Sequence, residues 1–480
     1  MKVLILIQLL FCFVISNAQP PKRFYTKFGG NGIDIGYSAK PTKDKQYIVA
    51  GSTSSYGYGN TDVYLVKVDS MGYPIWEKYF GGFNNDVGRS VVQLPDSGYV
   101  VAGFTNSFGA GGYDAYMIRT DKNGNLIWQK AVGGLDWDFA YDLVLSPDGN
   151  IVVCGNTSSF GAGKKDGLIL KLDLLGNLIW QKTIGGIENE ELKSVIITND
   201  NFLATVGYTE SNGDVNGDVY FYKFDLSGTM LFDVTYGGTG KDYANDVVQK
   251  LNGDYVLCGA KTYSSSPKTE PLYFSIAATG AFLWENHFTD NTNDDAFSSN
   301  CTTNNPSYVA YIRDRPILNF KSDVSIYIGT QIYLGTDKIT ENGGYEDEFC
   351  YSIERMPDGG YVTVGVTYSF GSINGDVYFL KQDSNLINNA SLVGLINQTK
   401  KEIKPTIRYI SNSEIEVTMA ENIVISNYNV LTMTGSSISS NNSLHSSSFK
   451  IDLTTLSKGI LILEVKLKSG AIFHYKLLNN

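Results

Sequence analysis

The chain rewrites itself every 52 residues, and a period of that size restricts the fold more than any other feature of the sequence. At that offset the first glycine of a GG step recurs at Gly29, Gly81, Gly133, Gly185 and Gly237, and Gly343 rejoins the column after a copy two residues longer. Trp76, Trp128, Trp180 and Trp284 make a second column, with Phe232 filling the gap. A third column is acidic in all seven copies: Asp34, Asp86, Asp138, Glu190, Asp242, Asp294 and Glu348. A repeat this long denotes supersecondary units that stack or close into a ring, not the roughly three domains that length alone would suggest.

Within the second copy, residues 87–94 and 98–105 flank Pro95-Asp96-Ser97-Gly98, and the equivalent turns at Pro147 and Pro357 carry the Asp-Gly step of a tight hairpin. A glycine-rich loop follows. Residues 114–121 then alternate apolar and polar, and Asp121-Lys122-Asn123-Gly124-Asn125 turns them into residues 126–132. Four antiparallel strands per copy, seven times over, predict an all-β fold: a seven-bladed β-propeller. The seventh copy supplies three strands (348–356, 361–367, 376–383) and no fourth, whereas residues 23–30, RFYTKFGG, read as a fourth strand without its first three. Phe24 falls on the Trp column. The N-terminal strand is therefore expected to complete the last blade and close the ring, which removes two unpaired edges. The sixth copy is the irregular one: Thr289-Asp290 replaces the glycine pair, Tyr311 replaces the glycine of Gly51, Gly103, Gly155, Gly207, Gly259 and Gly365, and Arg313-Asp314-Arg315 adds charge. It is either a worn unit or a specialised one.

Charged residues are only 18%, with 50 Gly and 32 Tyr, a mixture suited to short strands and many turns. The net charge of −11 is spread along the chain and no basic stripe is present, which excludes a nucleic-acid partner. Residues 1–18 have one basic residue, an apolar run and a small-residue end at Ser16-Asn17-Ala18, the pattern of a secretory signal cleaved near Gln19. No other stretch is long and apolar enough for a transmembrane helix. Cys154 and Cys258 share a repeat column where other copies have Ala or Val, and read as small core residues; Cys301 and Cys350 lie in successive copies, and their spacing leaves a disulfide open. The repeat is lost from Ser384, so 384–404 reads as a linker after a propeller spanning 19–383. Residues 405–480 contain IEVTM, ISNYNVLTM, FKIDL, ILILEVKL and IFHYKLL, enough for a small C-terminal β-sandwich.

The pattern of GG, an acidic residue, SVV, DGGYVVAG, T-x-S-F-G, D-x-Y-L-x-K-x-D and G-N-x-x-W resembles the SBBP-type β-propeller repeats of exported bacterial proteins, a resemblance that implies the fold and says little of activity. The C-terminal stretch is similar to the sorting domain of type IX secretion substrates of Bacteroidota, through Val430-Leu431-Thr432-Met433-Thr434-Gly435 and the block from Leu453 to Leu461 followed by Glu464-Val465-Lys466. That resemblance implies a protein delivered to the outer cell surface or secreted, with the type IX machinery as a partner of the C-terminal domain.

For function the repetition itself is the guide. A fold requirement recurs in every copy, whereas a site for one ligand breaks the symmetry. The acidic column is expected to cap turns by accepting backbone N–H bonds, the alternative being a cation site or an anion-repelling ring at the channel mouth. The Trp column and the second acidic column (Asp62, Asp114, Asp166, Asp218, Glu270, Asp376) are expected to pack blades together. Asymmetric residues are the candidates for ligand contact: Trp137, Arg313 and Arg315. Asn212, Asp214, Asn216 and Asp218 alternate oxygen-bearing side chains as calcium loops do, with Lys223 where the bidentate Glu would stand, so calcium competes with ordinary turn chemistry. Of three histidines, His445 and His474 lie in the C-terminal domain, which leaves His287 and excludes a histidine triad. No catalytic residue is named. The expectation is a non-catalytic binding module for a polysaccharide or protein; the alternatives are a carbohydrate-active hydrolase or lyase using channel carboxylates, and a structural surface or adhesion component.

Overall fold

The computed structural model describes residues 24–263, 266–287, 297–305, 308–316, 322–330, 338–342, 348–369, 374–382, 406–411, 414–418, 425–432, 437–441, 446–454, 456, 458–467 and 472–479, with only backbone pairing given for 297–342. The expected signal, residues 1–18, and the linker, 384–404, lie outside the described residues, as do the side chains of Cys301, Arg313 and Arg315. The chain divides into two compact units, Met1–Asn388 and Asn389–Asn480. Every described element is a β-strand or lone bridge, and among the described residues no helix is long and apolar enough to cross a membrane.

In the first unit, seven four-stranded antiparallel sheets follow one another. The second sheet is representative: Asp86–Gln93, Tyr99–Thr105, Asp114–Thr120 and Leu126–Val132, paired in chain order. Its two middle strands are almost wholly buried on both faces, which is why they read as near-continuous apolar runs, and its fourth strand is exposed or half-buried. Successive first strands, Asp34–Pro41, Asp86–Gln93, Asp138–Leu145, Glu190–Ile197, Asp242–Gln249, Phe297–Asn305 and Glu348–Arg355, pack one against the next, and Glu348–Arg355 packs against Asp34–Pro41. The sheets are thus arrayed as propeller blades with their first strands innermost. Between the first and second sheets Ile48, Leu65, Val101 and Ile118 share one apolar core, and comparable cores fill the junctions that follow.

The seventh sheet takes its fourth strand from the other end of the unit. Phe24–Phe28 pairs antiparallel with Asp376–Gln382, in the register Phe24↔Lys381 to Phe28↔Val377. The contacts this strand makes with the first sheet are those that fourth strands make elsewhere. Trp76 lies against Gly124 of the next hairpin, Trp128 against Gly176, Trp180 against Gly228, Phe232 against Gly280, and Phe24 against Gly72. All five glycines have positive φ, between 76° and 94°, so each combines a left-handed turn with a surface flat enough to receive the ring. Likewise Asp34 N–H donates to Gly375 O at 2.9 Å, as Asp86 N–H does to Thr61 O and Asp138 N–H to Tyr113 O.

Six of the seven first strands carry a β-bulge at the same place. The register slips between Gly36 and Ser38, Gly88 and Ser90, Ala140 and Asp142, Leu192 and Ser194, Ala244 and Asp246, and Cys350 and Ser352. The bulged backbone presses on the second strand, where the glycine column lies: a Cβ on Gly51, Gly103, Gly155, Gly207, Gly259 or Gly365 would come within 1.7–1.9 Å of a first-strand carbonyl oxygen. In the sixth sheet Tyr311 occupies that column opposite Cys301, and the slip spreads over Ser298 to Cys301.

The second unit holds a three-stranded sheet (Thr406–Ser411, Glu414–Thr418, Ser448–Asp452) and a four-stranded one ordered Ser437–Asn441, Ile425–Thr432, Gly459–Leu467, Ile472–Asn479. Ile415, Val417, Phe449 and Ile451 of the first share a core with Ile425, Val430, Leu461, Leu463 and Val465 of the second.

Candidate functional site

The two acidic columns and the GG column form one structural device. Asp86 Oδ2 accepts from Gly82 N–H at 2.8 Å and Ser107 Oγ at 2.7 Å, and its other oxygen accepts from Thr105 Oγ1. Asp34, Asp138, Glu190 and Asp242 likewise accept the N–H of the second glycine of their GG step at 2.7–2.8 Å. The third-strand acids cap the neighbouring loop: Asp62 accepts from Tyr58 and Gly59 N–H, and Asp218 from Asp214 N–H. The first glycine of each GG step passes between the two carboxylates. A Cβ on Gly81 would stand 2.2 Å from Asp62 Oδ1 and 2.5 Å from Asp86 Oδ2, and Gly29, Gly133, Gly185 and Gly237 are hemmed in the same way. These carboxylates serve the fold.

At some junctions the device leaves charge to relieve. Asp218 Oδ1 and Asp242 Oδ1 are buried with no hydrogen-bond partner among the described residues. Burial, reinforced by the neighbouring Asp218 and Glu285 charges, pushes the Asp242 carboxyl up to about 6 from 3.8. An acid whose pKa is raised on folding contributes stability fully below its unfolded pKa, near 4, and that contribution is lost as pH rises through about 6. Asp242→Asn keeps an acceptor for Gly238 N–H and cannot ionise. It is expected to raise the unfolding temperature at pH 8, by an energy on the order of 2 kcal/mol, and to have little effect at pH 4. Thermal melts at the two pH values check this; an equal shift at both would remove ionisation as the cause.

The inner strands enclose a cavity of about 680 Å³. The residue that each bulge sets free faces it: Tyr37, Arg89, Tyr141, Lys193, Asn245 and Tyr351. Tyr37, Tyr141 and Tyr351 share one residue type at this position, and Arg89, Lys193 and Asn245 depart from it. Its members touch around the ring: Tyr351 and Tyr37 have ring centroids 5.0 Å apart, the Arg89 guanidinium lies 4.2 Å from the Tyr37 centroid and 5.7 Å from that of Tyr141, and Lys193 Nζ is 4.1 Å from Tyr141. Lys193 pairs with Glu191, which also bonds Lys165 Nζ at 2.7 Å. Although burial alone would raise it, the two ammonium groups hold the Glu191 carboxyl down to about 2.

Further along the same strands Ser90 Oγ donates to Asp142 at 2.7 Å and Ser194 Oγ to Asp246 at 2.6 Å, while Asp142 also accepts from Leu143 and Val195 N–H and Asp246 from Val247 N–H. Lys40 bonds Glu354. Burial raises the Asp142 carboxyl above its ordinary value, opposed by those N–H bonds, Ser90 and Lys40. The cavity therefore has an aromatic and cationic layer followed by a carboxylate layer whose members already hold partners.

Trp137 lies just before the third first strand and is 57% exposed. Its ring meets Tyr113 at 6.0 Å and Phe139 at 6.1 Å, and Phe139 stacks on Tyr141 at 6.1 Å. An aromatic run thus leads from the loop-bearing end into the cavity. The backbones of Arg313 and Arg315 lie on the second strand of the sixth sheet, Tyr308–Pro316, opposite Ser325 and Asp323. In the candidate calcium loop, Asp214 Oδ1 accepts from Asn216 N–H and Nδ2, and Asp218 Oδ2 from Asp214 N–H, so these oxygens bond within the loop; no group of three metal-ligating side chains occurs among the described residues. Cys154 and Cys258 are buried as expected of core residues, and Cys350 Sγ donates to Val364 O at 3.3 Å. The sequence reading missed the bulge column, whose signal was the charge of Arg89 and Lys193 at a place where three other copies carry Tyr.

No family model matches the chain. It is 24% identical over 200 residues to the regulatory protein FlaEY of Caulobacter vibrioides, an alignment covering 36% of this chain and 21% of that protein, so the chain spans about a fifth of the length of this curated relative. Among solved structures it is similar to Sqt1 from Chaetomium thermophilum (TM-score 0.41, 11% identity, 75% of this chain and 99% of that one) and to the Penicillium chrysogenum alpha-L-arabinanase complexed with arabinobiose (TM-score 0.41, 13% identity, 62% and 92%). The β-propeller domain of the Trilobed protease from Pyrococcus furiosus is similar at TM-score 0.33 and 11% identity, over 80% of this chain and 91% of that one.

Proposed function

We propose that the chain is an exported β-propeller that binds a polysaccharide or protein at the mouth of its central cavity, without catalysis. Its first unit is then a seven-bladed wheel sealed by Phe24–Phe28, and its second a β-sandwich serving as the sorting domain that type IX secretion machinery reads, with residues 1–18 as signal and the cell surface or medium as destination. The single observation that carries the binding reading is the bulge column, which lines the cavity with Tyr37, Tyr141 and Tyr351 and breaks that pattern with Arg89, Lys193 and Asn245. The screen that tests it presents the full chain to arrays of glycans and surface proteins, with calcium and with chelator. A ligand displaced by substitutions in the bulge column supports the reading, and binding that ignores all six positions contradicts it. Loss of binding in chelator would assign calcium a role at Asn212 to Asp218.

A second reading, a carbohydrate-active hydrolase or lyase, rests on the raised Asp142 carboxyl bridged to Asp246 through Ser194. Binding is favoured because both carboxylates accept backbone N–H bonds. Release of new sugar ends from a bound glycan, abolished by Asp142→Asn, would reverse that preference.

A further inference from the structure

We propose that the cavity mouth recognises an anionic sugar chain, one whose rings bear carboxylate or sulfate groups, with Arg89 as the anchor for the charge and the run Trp137, Phe139, Tyr141 as the surface for the rings. This rests on the reading of the propeller as a binding module and names the chemistry of what it binds.

Arg89 is the unusual member of the ring. It is half-buried, its guanidinium lies between the faces of Tyr37 and Tyr141, and among the described residues it has no carboxylate or other hydrogen-bond acceptor. A guanidinium presents five N–H donors in a planar fork that matches a carboxylate or sulfate edge, and that of Arg89, half-buried and not shut off from solvent, keeps those donors open to an entering anion. The second cation against Tyr141, Lys193, adds to the effect. Arg89, Lys193 and Lys165 outnumber the Glu191 carboxylate beside them, and burial together with the like charges of Arg89 and Lys165 depresses the Lys193 pKa. An anion entering here would relieve that repulsion. The carboxylate layer beyond it sets a limit on how far the charged end can travel.

The aromatic residues decide between an anionic sugar and another anion. Tyr and Trp offer a flat apolar face with a polar rim, and a sugar ring offers an apolar C–H face with a polar edge, so the two stack while their hydroxyls stay hydrogen-bonded. A cavity of about 680 Å³ accommodates a few such rings and not a folded partner. Exposed Trp137 then meets the part of the chain that remains outside.

The test is calorimetric titration of the full chain with tetragalacturonate, a sulfated tetrasaccharide and neutral maltotetraose at low and moderate salt. Binding to one or both anionic probes is expected, weakened by salt, with maltotetraose bound at least tenfold more weakly; the stronger anionic probe tells carboxylate from sulfate. Arg89→Gln is expected to lower affinity for that probe about ten- to a hundredfold, and Arg89→Lys by less. Trp137→Ala, at an exposed position where folding is not at stake, is expected to lower it about three- to tenfold. Equal affinity for maltotetraose, or an Arg89→Gln protein with unchanged melting and unchanged affinity, overturns the anionic assignment. If a neutral glycan or an acidic peptide binds instead and is sensitive to Tyr141→Leu, the binding module stands and its ligand class is corrected; if neither the probes nor the array yields any ligand, both fall.

Discussion

Replacing Gly103 with alanine is expected to destabilise the first unit by on the order of 4 kcal/mol, read as a fall in unfolding temperature of roughly 10 °C. The argument is one of space. A Cβ there would lie 1.8 Å from Val87 O and 2.8 Å from Val87 C, both backbone atoms of the bulged strand, so no side-chain rotation can make room. The strand must retreat, and with it the bulge that aims Arg89 at the cavity. Gly149 is the control. It has φ +80° and nothing within 4 Å of an added Cβ, so Gly149→Ala meets only backbone strain and should cost about 1 kcal/mol. Equal losses in the two variants would mean that the close approach at the bulge is not what the glycine column serves.

The second large effect is expected from removing the N-terminal strand. A chain beginning at Gly29 would strip Asp376–Gln382 of its only outer neighbour and take Phe24 and Phe28 from the rings of Phe379, Tyr47 and Tyr64. Lys27 would also leave Asp376, which it bonds at 2.5 Å. An apolar strand edge would then face water, and such edges recruit other chains. The truncated protein is expected to unfold more than 10 °C lower and to aggregate on heating, the loss being roughly 5 kcal/mol or more. The peptide RFYTKFGG, added in excess, should recover part of the difference by adding back the strand. A truncated chain with an unchanged melt would show that the pairing contributes nothing.

The repeat made the architecture readable because each column is a physical requirement met in every copy. Asp121 to Asn125 announced a tight turn, the Trp column announced packing between blades but not the glycine each ring rests on, and Phe24 on that column pointed to pairing with the last copy. In the second unit the strands Glu414–Thr418 and Gly459–Leu467 were legible from alternation, whereas Ser437–Asn441, SISSN, has no apolar alternation and was not. The candidate site was harder to read for the same reason that the fold was easy. Tyr37, Arg89, Tyr141 and Lys193 look like noise in a conserved repeat until the bulge shows that they share one wall. Trp137 was singled out as asymmetric, but its connection to Tyr141 through Phe139 depends on spatial contacts that no spacing rule gives. Asn212 to Asp218 shows the converse, since a pattern suited to calcium is also the pattern of a turn whose side chains accept its own N–H groups.

Whether Phe24–Phe28 is the outer strand of the last sheet bears on every inference drawn from the ring, and amide hydrogen exchange resolved along the chain tests it directly. An edge strand bonded on one side protects alternate amides. The amides of Tyr25 to Phe28 should therefore alternate between slow and fast exchange, with protection close to that of Leu126–Val132, the fourth strand of the second sheet. Exchange at the rate of an unstructured peptide across all of them, beside a protected Leu126–Val132, would contradict the pairing and open the ring.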